Sequence, residues 1–179
     1  MRLFIALSLP RKVERELWAY MEKLRRANPR AGRFSRRENL HLTLGFIGEA
    51  EEEAARRIAM GLLELPSHSL SMDLAGVGRF RSGILWAGLR EKEELGQMSH
   101  EARDLLKRLS IPFDEKPFRA HITLARDWRG PDPEELPVLP KMSGLATKPI
   151  RACLFESYHN ERGAVCYRLI SPEELGLRL

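Results

Sequence analysis

Apolar residues recur along this chain with two different periods. Val13, Leu17, Met21 and Leu24 are spaced four, four and three apart, which predicts an amphipathic helix over residues 11–27 with one core-facing stripe. Pro10 stands where such a helix can begin, and Asn28-Pro29 stops it. Ala54, Ile58 and Leu62 predict a second helix over 49–63, with Glu49, Glu51, Glu52 and Glu53 at its positive N-terminal end. Leu95, Met98, Ala102, Leu105 and Leu109 predict a third over 91–109. Elsewhere the period shortens to two, or apolar residues run together. Strands are predicted at 2–9, 41–47, 69–80, 83–89, 119–126, 150–158 and 164–170. In the third of these, Leu70, Met72 and Leu74 share one face. Arg81-Ser82 and Asn160-Glu161-Arg162-Gly163 are the hairpin turns. Residues 30–39 read as a polar, arginine-rich connector, and 127–148, rich in Pro, Gly and acidic residues, as loop. Ser171-Pro172-Glu173-Glu174 has the form of a cap followed by a final turn.

Two of the predicted strands carry nearly the same four residues. His41-Leu42-Thr43-Leu44 is matched by His121-Ile122-Thr123-Leu124. Side chains at i and i+2 of a strand point to one face. His41 therefore lies beside Thr43, and His121 beside Thr123, while the aliphatic residues turn to the core. An amphipathic helix precedes each copy by about the same distance. The pattern predicts an α+β protein of two pseudo-symmetric lobes, each an antiparallel sheet with flanking helices, around a central cleft. At 179 residues the chain is expected to be a single bilobal unit over 1–179.

Composition narrows the class. No run of about 18 apolar residues is present, so no membrane-spanning helix is expected. The opening residues lack the basic start and small-residue cleavage site of a leader, and a cytoplasmic protein is expected. Cys153 and Cys166 have no metal-ligand spacing and read as reduced core residues. The net charge of +5 points toward an anionic partner such as nucleic acid. The 23 arginines against 7 lysines suit phosphate contacts, although a general compositional bias accounts for the excess as well.

Paired imidazoles suit displacement at phosphorus. One can take a proton from an attacking water while the other gives one to a leaving oxygen. Two hydroxyls beside them can hydrogen-bond the non-bridging oxygens as charge builds. A strained cyclic phosphate is a substrate for which such a site needs no metal.

The same residues carry a family resemblance. Glu38-Asn39-Leu40-His41-Leu42-Thr43-Leu44-Gly45-Phe46-Ile47-Gly48 and Phe118-Arg119-Ala120-His121-Ile122-Thr123-Leu124-Ala125-Arg126 are similar to the two motifs of the two-histidine phosphoesterases. More closely they resemble the RNA 2′,3′-cyclic phosphodiesterases, also called the 2′-5′ RNA ligase family. Arg2-Leu3-Phe4-Ile5-Ala6 with Pro10 resembles the opening strand of that family. Glu156-Ser157 and Gly163 to Tyr167 resemble its closing hairpin. The resemblance covers essentially the whole chain and is weakest at 66–92 and 127–148. It implies hydrolysis of an RNA 2′,3′-cyclic phosphate end to a 2′-phosphate, with 2′-5′ ligation as the reverse direction. It implies His41 as proton donor, His121 as proton acceptor, Thr43 and Thr123 beside them, no metal, no cofactor and a monomer. It also suggests Arg126 as a substrate-binding residue, although odd separation from His121 puts Arg126 on the opposite face of an ideal strand. One departure is Phe34-Ser35-Arg36-Arg37, which is basic and lacks the tryptophan often found there.

Two alternatives stand beside this reading: a non-catalytic RNA-binding module using the same basic cleft, and a phosphodiesterase for small cyclic nucleotides. The remaining histidines, His68, His100 and His159, read as surface residues. Arg30, Arg33, Arg36 and Arg37 serve equally well as an RNA track or as a solvated loop. Trp128 and Tyr158 could stack a base, but packing is the plainer role for each.

Overall fold

The computed structural model describes residues 1–142 and 146–177. Three helices form, α1 (Arg11–Ala27), α2 (Glu52–Glu64) and α3 (Lys92–Arg108). The strands are β1 (Arg2–Ser8), β2 (Arg33–Phe34), β3 (His41–Glu49), β4 (His68–Leu70), β5 (Leu74–Arg79), β6 (Leu85–Leu89), β7 (Ile122–Arg126), β8 (Lys148–Ile150), β9 (Cys153–His159) and β10 (Val165–Leu169). They build two four-stranded sheets, in the orders β10-β9-β1-β3 and β2-β7-β6-β5, and a two-stranded β4-β8 ribbon. Every pairing is antiparallel. This is the two-lobed α+β arrangement that the repeat implies. β3, which begins at His41, and β7, which His121 immediately precedes, lie against each other where the sheets meet.

The apolar run Leu3–Leu7 is buried throughout because β1 is an inner strand covered on both faces. Leu3, Ile5 and Leu7 join the main core, while Phe4 and Ala6 pack with Phe155 on the other side. The main core is contiguous through both sheets and all three helices. The α1 stripe is buried as its spacing predicts, with Tyr20 added, and the Tyr20 hydroxyl donates to Pro137 O at 2.7 Å.

The helices do not follow the halves of the repeat. α3, which leads into β7, packs on β3, and α2 packs on β9 of the same sheet. Ser99 of α3 is fully buried, and its hydroxyl donates to Leu44 O at 2.7 Å.

Several elements differ from the sequence reading. α2 begins at Glu52, and its stripe is Ala55, Ile58, Ala59 and Leu62, with Ala54 only half-buried. Leu109 is likewise half-buried, and Ser99 and Leu106 fill the face of α3. The strand read over 69–80 is broken into β4 and β5. Leu70, Met72 and Leu74 are all buried, but Met72 takes φ +55°. Such a conformation costs about 1–2 kcal/mol in a non-glycine residue. The Glu91 carboxylate answers it, accepting from Ser71 N, Ser71 Oγ and Asp73 N at 2.7, 2.8 and 3.0 Å. The connector 30–39 contains β2, and residues 150–158 divide between β8 and β9. The loop read over 127–148 is loop apart from β8 and one short turn at Pro133–Glu135, and its residues 143–145 lie outside the described ones. Cys153 and Cys166 are free thiols, half-exposed rather than in the core.

Replacing Glu91 with Ala leaves three donors around the Met72 bend without their acceptor. Urea unfolding should show a loss of about 2 kcal/mol at unchanged m, and Glu91→Gln should lose less. A wild-type midpoint for Glu91→Ala would show that the bend is held by other contacts.

Candidate active site

Both histidines are fixed by the same device. His41 Nδ1 lies 2.7 Å from Asn39 O, and His121 Nδ1 lies 2.6 Å from Arg119 O. A carbonyl can only accept, so in each ring Nδ1 carries the hydrogen and Nε2 is left with a lone pair. In the His41 half, Thr43 Oγ1 is 3.0 Å from that Nε2 and donates to it.

Each strand then breaks its own alternation. Against β1, Thr43 pairs with Ala6 and Gly45 with Ile5, so Leu44 is an extra residue. Against β6, Thr123 pairs with Trp86 and Ala125 with Leu85, so Leu124 is an extra residue. These are β-bulges at equivalent places, each immediately after the threonine. Leu44 and Gly45, like Leu124 and Ala125, are consecutive buried residues. The parity flips, and the residue five beyond each histidine returns to the histidine face. In β7 that residue is Arg126. The bulge is the bend that its odd spacing requires. In β3 it is Phe46, half-exposed and opposite Phe4, with the two rings 6.0 Å apart.

The electrostatics follow from burial and from Arg126. Burial pushes the His41 imidazole down to about 4. The Asn39 carbonyl opposes this, and the charges on Arg126 and His121 add to it. His121 is also lowered, by burial first and then by Arg126, against the pull of the Arg119 carbonyl. One guanidinium thus acts on both rings. Arg126 has no ion-pair partner among the described residues. Its cross-strand neighbour Arg33 is paired with Asp127 at 2.7 Å.

Aromatic rings back both histidines. Phe4 and Tyr167 have their centroids 5.0 Å from His41, and Phe80 stands edge-on at 5.0 Å from His121. The Arg119 guanidinium lies 5.7 Å over Phe80. The Asn39 side chain is itself anchored on the β10 edge, donating to Val165 O at 3.0 Å and accepting from Tyr167 N at 3.1 Å.

The structure brings His41, His121 and Arg126 within electrostatic reach of one another, with Thr43 against His41 and Thr123 two residues along the chain from His121. Phe4, Phe80, Tyr167 and Asn39 belong to the same surroundings and were not singled out in the sequence. No shared residue type marks positions 39 and 119, because the carbonyls make the contacts. Three arginines of the connector are engaged elsewhere: Arg33 with Asp127, Arg36 with Glu38 and Arg37 with Glu14. Trp128 is buried and donates to Pro131 O at 2.9 Å, which is packing; Tyr158 is half-exposed. His68 is not a bare surface residue. It is half-buried and sits 2.8 Å from Glu101, whereas His100 is exposed beside Asp104. No three His, Cys, Asp or Glu side chains converge among the described residues.

Known proteins are similar to this chain in sequence and in fold. The family profile described as LigT like phosphoesterase matches residues 7–86 and again 89–167, one match for each histidine motif. The chain is 36% identical over 129 residues to the RNA 2′,3′-cyclic phosphodiesterase of Escherichia coli strain K12, covering 70% of this chain and 72% of that one. It is 31% identical over 147 residues to the RNA 2′,3′-cyclic phosphodiesterase of Archaeoglobus fulgidus, covering 80% and 81%. The crystal structure of Escherichia coli LigT in apo form superposes with a TM-score of 0.76 at 27% identity, over 95% of this chain and 94% of that one.

The buried ring makes a prediction about stability. His41 has a folded-state pKa of about 4, below its ordinary value of 6.5, so the unfolded chain takes up the proton first. Stability is therefore complete above about pH 6.5 and declines as pH falls toward 4, by about 3 kcal/mol from this one residue. Urea unfolding across that window should show a shallower decline for His41→Phe than for wild type. Parallel curves would mean that the ring is not held neutral by its surroundings.

Proposed function

The chain belongs to the family of LigT like phosphoesterases, and from that premise we propose that it hydrolyses the 2′,3′-cyclic phosphate end of RNA to a 2′-phosphate. The observation that carries this reading is the pair of imidazoles with matched carbonyl latches, flanking one unpaired arginine. His121 Nε2 takes a proton from water, and the water oxygen bonds to phosphorus. The P–O3′ bond breaks, and the proton on His41 Nε2 passes to O3′. The product keeps the phosphate on O2′. Arg126 holds the non-bridging oxygens, and the Thr43 and Thr123 hydroxyls donate to them as charge builds. When a 5′-hydroxyl rather than water is the attacking oxygen, the same displacement breaks the P–O3′ bond of the cyclic phosphate and leaves a 2′-5′ linkage. In this reading residues 1–179 act as one monomeric, cytoplasmic unit needing no metal.

Protonation of the donor is coupled to binding. In the free protein both rings are depressed, partly by Arg126. A bound phosphate brings a negative charge beside the rings and offsets that guanidinium. Both effects raise the imidazole pKa values. The donor thus becomes charged in the complex, where it is needed, and Thr43 is freed from its acceptor to face the phosphate. Backing by aromatic rings keeps water from competing.

Turnover of an oligonucleotide with a 2′,3′-cyclic phosphate should persist in EDTA and give a 2′-phosphate end. Binding without turnover, weakening with salt, would instead indicate a non-catalytic RNA-binding module. Faster turnover of cyclic mononucleotides than of oligonucleotides would move the substrate to small cyclic nucleotides. His41→Ala and His121→Ala should each lose roughly 10²–10⁴-fold in kcat, and near-normal turnover in either would remove the acid–base pair. The pH optimum of kcat/KM should lie below that of kcat, because free-protein pKa values are the lower set. Arg126→Ala should raise KM and move the kcat/KM optimum upward.

A further inference from the structure

The bulge in β7 leaves a problem of unpaired carbonyls, and one residue answers it. The bulge turns two successive carbonyls, Thr123 O and Leu124 O, toward the same strand edge. Ser35, next after β2, donates its backbone N–H to Leu124 O at 2.8 Å and its hydroxyl to Thr123 O at 2.9 Å. A backbone alone supplies one donor per residue. The second donor has to come from a side chain, and Ser35 has it.

The other half offers an independent parallel. The extra residue of the β3 bulge is Leu44, and its carbonyl accepts from Ser99 Oγ at 2.7 Å. Each bulge is therefore held by a serine hydroxyl from a different element. β2 is only two residues long, yet it is pinned on β7. Phe34 meets Trp128 edge-on with centroids 5.8 Å apart, and Arg33 pairs with Asp127. A Cβ on Gly32 would stand 2.8 Å from Arg126 O, so glycine is what lets the two backbones approach.

We infer that Ser35 is a positioning residue for anion binding, acting through the β7 bulge that carries Arg126 to the histidine face. The inference rests on the reading of Arg126 as the phosphate ligand. Without the hydroxyl, Thr123 O loses its donor and the strand can relax toward regular alternation. Regular alternation turns Arg126 away from the cleft.

Titration with inorganic phosphate, by calorimetry and by inhibition of turnover, tests this in the full-length protein. Ser35→Ala should weaken phosphate binding about tenfold, as Arg126→Ala does, through one lost hydrogen bond and the misplaced guanidinium. Ser35→Ala added to Arg126→Ala should weaken it no further, because both changes remove the same contact. Ser35→Thr should bind within about twofold of wild type, and Ser35→Val, of the same shape without the hydroxyl, should behave like Ser35→Ala. Unchanged affinity in Ser35→Ala and Ser35→Val would overturn the inference. So would a full second loss on the Arg126→Ala background, which is the signature of a purely structural role. The expected phosphate pattern in a protein without turnover on cyclic phosphate would overturn the functional reading and leave the role of Ser35 standing.

Discussion

A strand can present every second residue to one face, and this site needs a set that breaks the rule. Histidine, threonine and a third residue five positions beyond the histidine all come to one face. One inserted residue directly after each threonine reconciles the two demands, and β3 carries a second, Ile47, beyond Phe46. Leu44 and Leu124 are the insertions after the threonines. The rest of the cleft depends on them: Arg126 reaches the imidazoles only past the second, and Phe46 reaches Phe4 only past the first. The two products differ, an arginine in one lobe and a phenylalanine in the other. A symmetric backbone therefore carries an asymmetric site, cationic toward His121 and aromatic toward His41.

The aromatic side has an electrostatic consequence. Phe4, Phe155 and Tyr167 exclude water from His41, and a dry imidazole resists protonation. The ring is kept in one tautomer by Asn39 O and in the neutral form by burial. His121 is backed by Phe80 and is lowered by burial and by Arg126.

Much of this was legible in the residues. The two His-x-Thr strands, the α1 stripe and the α+β class follow from spacing, because helical and strand periods are properties of local sequence. The bulges were not legible. Leu44 and Leu124 look like ordinary core residues of an alternating strand, and only pairing with β1 and β6 reveals them as extra. Ser35 and Ser99 were invisible for the same reason, since a serine that answers a carbonyl far along the chain has no local signature. The break at Met72 was hidden because Leu70, Met72 and Leu74 keep a perfect strand pattern while Glu91, far along the chain, supplies the hydrogen bonds that bend it. The buried position is 55 rather than 54, and one residue is the resolution that helix periodicity gives near a helix end.

The two serines are exchanged between the halves. Ser99 belongs to the second repeat and braces the first motif; Ser35 belongs to the first repeat and braces the second. A chain emerging from the ribosome therefore has its first histidine long before the helix that sets the bulge beside it. Separating the halves would leave two scaffolds, each missing a serine brace made by the other. The crossed bracing ties the two copies of the motif to each other, since the bulge beside each threonine takes a hydrogen bond from the opposite half.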